Sequence, residues 1–141
     1  YFEQKHYLEI GEEWSQLSTL DGIAGGKEGI VKILAQQHKP TAVFACNGLT
    51  AGAVNAIRQM DLRVPDDIAI AGFDNIELAE YLEVPLTTME QPKAEMGSLA
   101  AKMLINNING VEPNPWQRVL FPKLIVRQSC GSVLATKRSA R

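Results

Sequence analysis

The stretches Thr41-Ala-Val-Phe-Ala-Cys46 and Ile68-Ala-Ile-Ala-Gly72 decide the fold of this chain. Each is a short, continuous apolar run, and the first one ends at the turn-forming pair Asn47-Gly48. Such runs are typical of strands that are buried on both faces of a sheet. The segment between them, Leu49–Met60, has apolar residues at helical spacing. A strand, a helix and a second strand joined by short connections predict a parallel sheet with helices on its faces.

The flanking segments extend this α/β pattern in both directions. Upstream, apolar residues recur at helical spacing until the residue before Pro40, where a helix is disfavoured. Downstream, Pro92 stands where a helix can begin, and Gly110 stands where that helix can end. The sequence therefore predicts helices over Gly26–Gln37, Ile76–Tyr81 and Pro92–Asn109, and short strands over Leu86–Met89, Arg118–Phe121 and Leu124–Val126.

Composition narrows the class of protein. The chain has 141 residues, of which 45% are apolar, and this is enough for one core of ordinary size. Its net charge of −2 argues against a nucleic-acid surface, because phosphate binding needs clustered basic residues. The only basic cluster, formed by Lys137, Arg138 and Arg141, is interpreted as a solvated tail.

The cysteines and the chain ends indicate the compartment. Cys46 and Cys130 lack the spacing of a zinc site or a disulfide framework, so no metal and no cofactor is expected and a reducing cytoplasm is favoured. No stretch is apolar and long enough to span a bilayer. The opening segment Tyr1–Trp14 has no helix cap, and we expect it to continue an amino-terminal portion that this chain lacks.

Polar side chains follow three of the predicted strands. Asn47 follows the first strand, Asp74 follows the second after one residue, and Gln91 ends the third segment. Because ligands of open parallel sheets bind at the carboxyl ends of the strands, we expect these side chains to meet along one edge. A carboxylate accepts hydrogen bonds from two vicinal hydroxyls, and amides both donate and accept. The expected ligand is therefore a sugar, a polyol or a nucleobase-like solute.

Structural roles stay open for part of this set. Asn47 and Asp74 belong to the residue types that cap helices and turns well. Gln91 is a poor helix cap, and its place before Pro92 favours a role other than capping.

The sequence does not support two enzymatic interpretations, a phosphate-binding loop and a histidine acid–base site. The glycine-rich run Asp21–Glu28 departs from a phosphate-binding loop, because aspartate stands where the first glycine would fall and glutamate replaces the metal-binding hydroxyl. We interpret this run as a flexible lead-in to a helix. His6 and His38 lie in polar stretches, and neither has a nucleophile in a recognisable setting. No acid–base pair is predicted, and the chain is not expected to be an enzyme.

A set of linked motifs carries a family resemblance. They are Pro40–Asn47, Ala51-Gly52, Val64–Ile68, Ala71–Asn75, Pro85–Pro92 and the closing Arg127-Gln-Ser129. In this order they resemble the carboxy-terminal half of LacI/GalR transcriptional repressors, which share their fold with periplasmic sugar-binding proteins. The resemblance covers about Gly22 to Ser129.

The resemblance implies a two-lobed core with the effector in the cleft, and an operator-reading helix-turn-helix that this chain does not contain. It places residues 1–91 and 119–130 in the carboxy-terminal lobe and residues 92–118 in the missing amino-terminal lobe. Residues 131–141 are then a tail. The apolar stripe of the helix Pro92–Asn109 would lack its usual partner.

The same resemblance aligns Asn47, Asp74 and Gln91 with positions that commonly contact the effector. A fourth contact, usually aromatic, falls near Asp21, and aspartate cannot stack on a ligand. Gly48 replaces the aspartate that the family usually has there. Family dimers pair through the carboxy-terminal lobe, which implies a homodimer surface on Leu49–Met60 and Leu78–Leu82. Its expected contact residues are Val54, Ile57, Tyr81 and Leu82.

The expected protein is thus a cytoplasmic repressor that binds a small-molecule effector, a sugar or similar polar solute, and that reaches operator DNA only through the missing domain. One alternative is a periplasmic or lipoprotein solute receptor built on the same fold. The upstream coding region separates the two, because it encodes either a helix-turn-helix or an export signal. A second alternative is a flavodoxin-like α/β enzyme domain, which turnover of a sugar or nucleotide would reveal.

Overall fold

A computed structural model describes residues 22–46, 48–111 and 117–132 of the chain. Helices and strands alternate along these residues, as the sequence predicts. The elements are α1 (Gly22–Leu34), β1 (Ala42–Ala45), α2 (Leu49–Gln59), β2 (Ala69–Phe73), α3 (Leu78–Tyr81), β3 (Thr87–Glu90), α4 (Lys93–Ile108) and β4 (Lys123–Ile125).

The strands form one sheet in the order β1-β2-β3-β4. β1 and β3 both run parallel to β2, and this confirms the α/β fold with its central parallel strands. β4 runs antiparallel to β3, with Ile125 opposite Thr88, so the sheet is not parallel throughout. The helix that connects β3 to β4 has no buried residue. This connection therefore differs from the packed crossovers that join parallel strands.

The hydrophobic core lies between the sheet and the helices α1 and α2. Ile57 and Ile70 are its centre, with 0% and 1% of their surfaces exposed. Burying a side chain of this size stabilises a fold by about 1.5–3 kcal/mol. The other core residues are Ile30, Leu34, Ala53, Ala56, Ile68, Ala79 and Leu86.

Two glycines let α1 and α2 pack at very short distance. A Cβ atom on Gly26 would lie 1.8 Å from the carbonyl oxygen of Leu49, and one on Gly52 would lie 2.0 Å from that of Ile23. The expectation that the glycine-rich run is a flexible lead-in is wrong, because α1 already begins at Gly22. Glycine weakens a helix by roughly 1 kcal/mol relative to alanine, and the contact with α2 offsets that cost here.

Two strand predictions need correction. β1 was expected to be buried on both faces, yet Phe44 is 58% exposed. Within the described residues β1 pairs with β2 alone, so it lies at an edge of the sheet. Residues Arg118–Phe121 were expected to form a strand, but they have no regular structure. Phe121 is 69% exposed, and without a packed face its apolar character does not lead to pairing.

Helix α4 carries several exposed apolar residues, while its Leu99 and Met103 are half-buried. Leu104 and Ile108 are 59% and 74% exposed, and no residue of the helix is buried. The expectation that this stripe has lost a partner stays a prediction. The assignment of residues 92–118 to a different lobe stays a prediction.

Ser129 closes the amino ends of β2 and β3. Its hydroxyl donates to the carbonyl oxygen of Ile70 at 2.6 Å and accepts from the backbone N–H of Thr87 at 2.8 Å. The N–H of Ile70 donates in turn to the carbonyl oxygen of Ser129 at 2.9 Å. The residue is fully buried, so each of these polar groups is satisfied by the others.

Candidate functional site

The structure brings two of the four candidate ligand-binding residues together at the carboxyl edge of the sheet. Asp74 follows β2 directly and Gln91 follows β3 directly. The side-chain amide of Gln91 donates a hydrogen bond to Oδ1 of Asp74. Both residues are half-buried. Asn47 and Asp21 lie outside the described residues.

The turn after β2 has a backbone conformation that side chains seldom adopt. Asp74 has a φ of 83° and Asn75 has a φ of 41°. Aspartate and asparagine tolerate the left-handed region better than most residues, but two in succession still cost free energy. Such conformations persist where surrounding contacts impose them, and they are frequent at binding sites. The contacts of Asn75 show how this turn is held.

Asn75 uses both ends of its side-chain amide. Its Nδ2 donates to Oε1 of Glu90 at 2.8 Å, and its Oδ1 accepts from Nη1 of Arg127 at 3.0 Å. Its backbone N–H donates to Oγ1 of Thr88 at 3.2 Å. The side chain after Asp74 is therefore fixed from β3 on one side and from the segment after β4 on the other.

Arg127 joins this turn to the sheet. Its Nη1 also donates to the carbonyl oxygen of Leu86 at 2.8 Å, and its backbone N–H donates to Oγ1 of Thr87 at 2.9 Å. Its side chain is 16% exposed, and Nη2 lies 3.9 Å from Oε2 of Glu80. The site analysis from sequence missed Arg127, Asn75 and Glu90. All three lie within motifs that carry the family resemblance, but those motifs give them no role in the site, because the contacts join residues far apart in the chain.

A positive charge lies at the outer rim of the site. Lys93, the first residue of α4, donates from Nζ to the carbonyl oxygen of Asp74 at 2.8 Å. The rim thus combines a carboxylate, an amide and an ammonium group. This set can accept hydrogen bonds from hydroxyl groups and donate to ring or carbonyl oxygens of a ligand.

Gln91 of this rim also lines a cavity of about 590 Å³, whose lining does not include Asp74 or Lys93. Gln91 and Phe73 stand at the site end of this cavity, and apolar residues of α4 and of the segment 117–122 form its walls. The ring of Phe73 lies 6.5 Å from that of Phe44 in an edge-to-face arrangement. A volume of this size is in the range of sites for small molecules.

Among the described carboxylates, that of Asp67 has a pKa displaced from its usual range, and it lies away from this edge. The guanidinium of Arg63 donates to Asp67 and holds the pKa of that carboxyl below its usual range. The backbone N–H of Arg63 also donates to Asp67, so the pair braces the loop between α2 and β2.

Within residues 22–46, 48–111 and 117–132, no three potential metal-ligating side chains cluster together. None of the helices in the same ranges has the length and apolarity to cross a membrane.

The four candidate dimer residues have different surroundings. Tyr81 is 74% exposed, whereas Ile57 is completely buried in the core. The expectation that Ile57 forms part of a subunit surface is therefore wrong, because its helical face points into the core rather than outward. Val54 and Leu82 are half-buried and pack against the core. An exposed ion pair between Arg58 and Glu83 joins α2 to the segment after α3.

Comparisons with known proteins agree with this architecture. Residues 7–130 match the periplasmic binding protein-like domain. The chain is 42% identical over 127 residues to the ribose operon repressor of Haemophilus influenzae, covering 89% of this chain and 38% of the repressor. It is 43% identical over 128 residues to the transcriptional repressor PurR of Pasteurella multocida, covering 90% and 38%. The chain thus spans about two-fifths of the length of these relatives.

Among solved structures, a complex of the transcriptional regulator CelR with cellobiose is similar, with a TM-score of 0.71 and 33% identity. The match covers 77% of this chain and 33% of the regulator. The relatives are transcriptional repressors, and such proteins are not enzymes, in agreement with the class predicted here. The chain belongs to the periplasmic binding protein-like family, and the solved structures that it resembles include regulators of the LacI family.

Proposed function

We propose that this chain is the effector-sensing part of a bacterial transcriptional repressor, and that Asp74 and Gln91 grip a small polar effector. The observation that carries the proposal is their direct hydrogen bond at the carboxyl edge of the sheet, beside an open cavity. In open α/β sheets this edge is the place where ligands bind. The carboxylate and the amide suit a sugar or a similar solute with neighbouring hydroxyl or amide groups. Asn47 and Asp21 complete the proposed ligand set.

The proposed mechanism requires a longer, cytoplasmic protein whose amino-terminal portion reads operator DNA. The effector binds between two lobes and favours one closure angle, which changes the spacing of the paired DNA-binding heads. Such a switch needs only a difference in effector affinity between the two closure states. The exposed apolar residues of α4 support this, because a second lobe would cover them. The same evidence supports assigning residues 92–118 to that lobe.

A ligand panel tests the proposal. The unfolding temperature of the full-length protein is recorded with D-ribose, cellobiose or a purine base at about 1 mM, which is roughly 100 times a Kd of about 10 μM. A ligand at about 100 times its Kd stabilises the folded state by about 2.7 kcal/mol, which is a shift of several degrees. We expect at least one compound to produce it. A flat response to the whole panel at millimolar concentration would count against a sugar or nucleobase effector.

The runner-up function is a periplasmic sugar receptor of a transport system, since such receptors share the fold. The relatives favour the repressor, because the curated matches are named as transcriptional repressors. The upstream coding region distinguishes the two functions. A helix-turn-helix there supports the repressor, and an export signal contradicts it.

We also propose that the protein is a homodimer and that Tyr81 anchors the interface, with Val54 and Leu82 beside it. The large exposed ring of Tyr81 supports this, because aromatic anchors carry much of the energy of protein interfaces. Tyr81→Asp is expected to raise the dimer dissociation constant at least tenfold, as measured by sedimentation velocity. Val31→Asp is the matched control, since Val31 is an exposed apolar residue on α1. Equal dissociation constants for Tyr81→Asp and the unmodified protein would exclude this interface.

A further inference from the structure

We propose that Arg127 and Asn75 are positioning residues of the effector site, which hold the Asp74 carboxylate in the orientation that Gln91 meets. This inference rests on the proposed function, in which Asp74 grips the effector. Arg127 acts on Asp74 through the neighbouring residue, Asn75, to which its guanidinium donates. Asn75 is the link, because its side chain accepts from Arg127 while its backbone continues the turn from Asp74.

The orientation of the Asn75 amide is determined by the charges on its two sides. Its NH₂ group faces the carboxylate of Glu90, and its oxygen faces the guanidinium of Arg127. A flipped amide would place a donor against a donor and an acceptor against an acceptor. Aspartate at this position would put a second carboxylate 2.8 Å from Glu90. The network therefore requires an amide at residue 75, and a side chain of similar shape with a charge does not replace it.

The network likewise requires a guanidinium at residue 127, and an ammonium group does not replace it. One nitrogen, Nη1, donates both to Asn75 and to the carbonyl oxygen of Leu86. The other terminal nitrogen faces Glu80 at 3.9 Å. A planar fork can serve these separate acceptors at once, whereas an ammonium group is a single point of charge. Because the side chain is largely buried, these bonds are protected from exchange with water.

These contacts explain how two consecutive left-handed residues are maintained next to the site. The φ values of 83° and 41° place the Asp74 side chain at the edge where Gln91 reaches it. Loss of the Arg127 or Glu90 bonds would free Asn75 to return to a common backbone conformation. The Asp74 carboxylate would then turn away from Gln91, and the two groups would no longer present one grip to a ligand.

The test follows the side-chain amide protons of Gln91 by NMR in the ¹⁵N-labelled 141-residue chain. Asn75→Asp and Arg127→Gln are expected to make these protons exchange with solvent at least tenfold faster, because the bond to Asp74 opens. Ser129→Ala is the control, since its buried hydroxyl bonds to Ile70 and Thr87 and to nothing in the turn. Its exchange rate should stay within about twofold of the unmodified chain, although the fold is weakened.

A variant that fails to fold does not end the test. Asn75→Gly removes both side-chain bonds, and glycine takes positive and negative φ about equally readily, so residue 75 is no longer held at one φ and the same faster exchange is expected with less strain. Unchanged protection of Gln91 in Asn75→Gly and Asn75→Asp would overturn the inference. Equal loosening in Ser129→Ala would also overturn it, because the effect would then be general.

The exchange measurement needs no ligand, so its outcome is separate from that of the proposed function. Where D-ribose or a purine base binds the full-length protein, Asn75→Gly is expected to lower the affinity about tenfold in titration calorimetry while Ser129→Ala does not. Where the panel shows no binding but Gln91 loosens as expected, the proposed function fails and the positioning of Asp74 stands.

Discussion

Replacing Asp74 by alanine is expected to abolish effector binding in the full-length protein while operator binding persists. The carboxylate would accept hydrogen bonds from the ligand, and a hydrogen bond to a charged group contributes about 1.5–3 kcal/mol. Losing two of them lowers the affinity at least 100-fold, since each 1.4 kcal/mol is a factor of ten. Gln91 would also lose the partner that orients its amide. Titration calorimetry with the compound found in the ligand panel measures the loss.

Two further variants make this result interpretable. Asp74→Asn keeps a residue type that tolerates the φ of 83°, so its loss of affinity reports on the charge rather than on the backbone. Asp66→Ala removes the same charge near Arg63, away from the carboxyl edge of the sheet, and is expected to bind normally. Unaltered affinity in both Asp74 variants would show that the site lies elsewhere. A comparable loss in Asp66→Ala would point to a general effect of charge.

Gly52→Ala is expected to destabilise the fold by about 3 kcal/mol or more, although alanine is the better helix former. The new methyl group would lie 2.0 Å from the carbonyl oxygen of Ile23 and 2.7 Å from its carbonyl carbon. Both atoms belong to backbone, so the helices must separate, and overpacking of this kind commonly costs 1–3 kcal/mol or more. The midpoint of urea unfolding, converted with the measured slope, gives the change in the free energy of unfolding.

Gly29→Ala is the matched control on the facing helix. A Cβ atom at Gly29 has no heavy atom within 4 Å, so the substitution there adds only helix propensity. It should stabilise the chain by up to about 1 kcal/mol. The two glycine variants are thus expected to differ in sign. A stable Gly52→Ala protein would mean that α1 and α2 are not as close as the structure has them.

The positions of β1, β2 and β3 were predicted closely, because short apolar runs between turn residues have a local signature. β1 lies inside the predicted stretch, and the bounds of β2 and β3 shift by one residue. The start of α1 was missed because a helix rich in glycine has low propensity by itself. Its stability comes from packing against α2, and sequence spacing does not report that contact. The strand predicted at residues 118–121 does not form. Its apolar residues have no neighbouring strand among the described residues, and local apolar character does not report that absence.

Part of the candidate site followed from topology alone. Neighbouring parallel strands place their carboxyl ends at one edge, and so Asp74 and Gln91 could be expected to meet. The support of Asp74 could not be foreseen, because Arg127 and Asn75 are 52 positions apart in the chain. Ile57 shows a related limit. Helical spacing marks an apolar face, but it does not say whether that face meets the core or another subunit.

The buried hydroxyl of Ser129 has a consequence for how this protein is made. It joins residues 59 and 42 positions earlier, at the amino ends of the two central strands. A ribosome adds residues in order at about 5–20 per second. The amino ends of β2 and β3 therefore lack these hydrogen bonds for several seconds, until Ser129 is synthesised. Contacts of such long sequence separation are slow to form, because a long loop must first be closed. Arg127 stands two residues before Ser129, and the proposed site of Asp74 and Gln91 at the carboxyl edge depends on it. This site is thus completed only when synthesis of the same segment finishes.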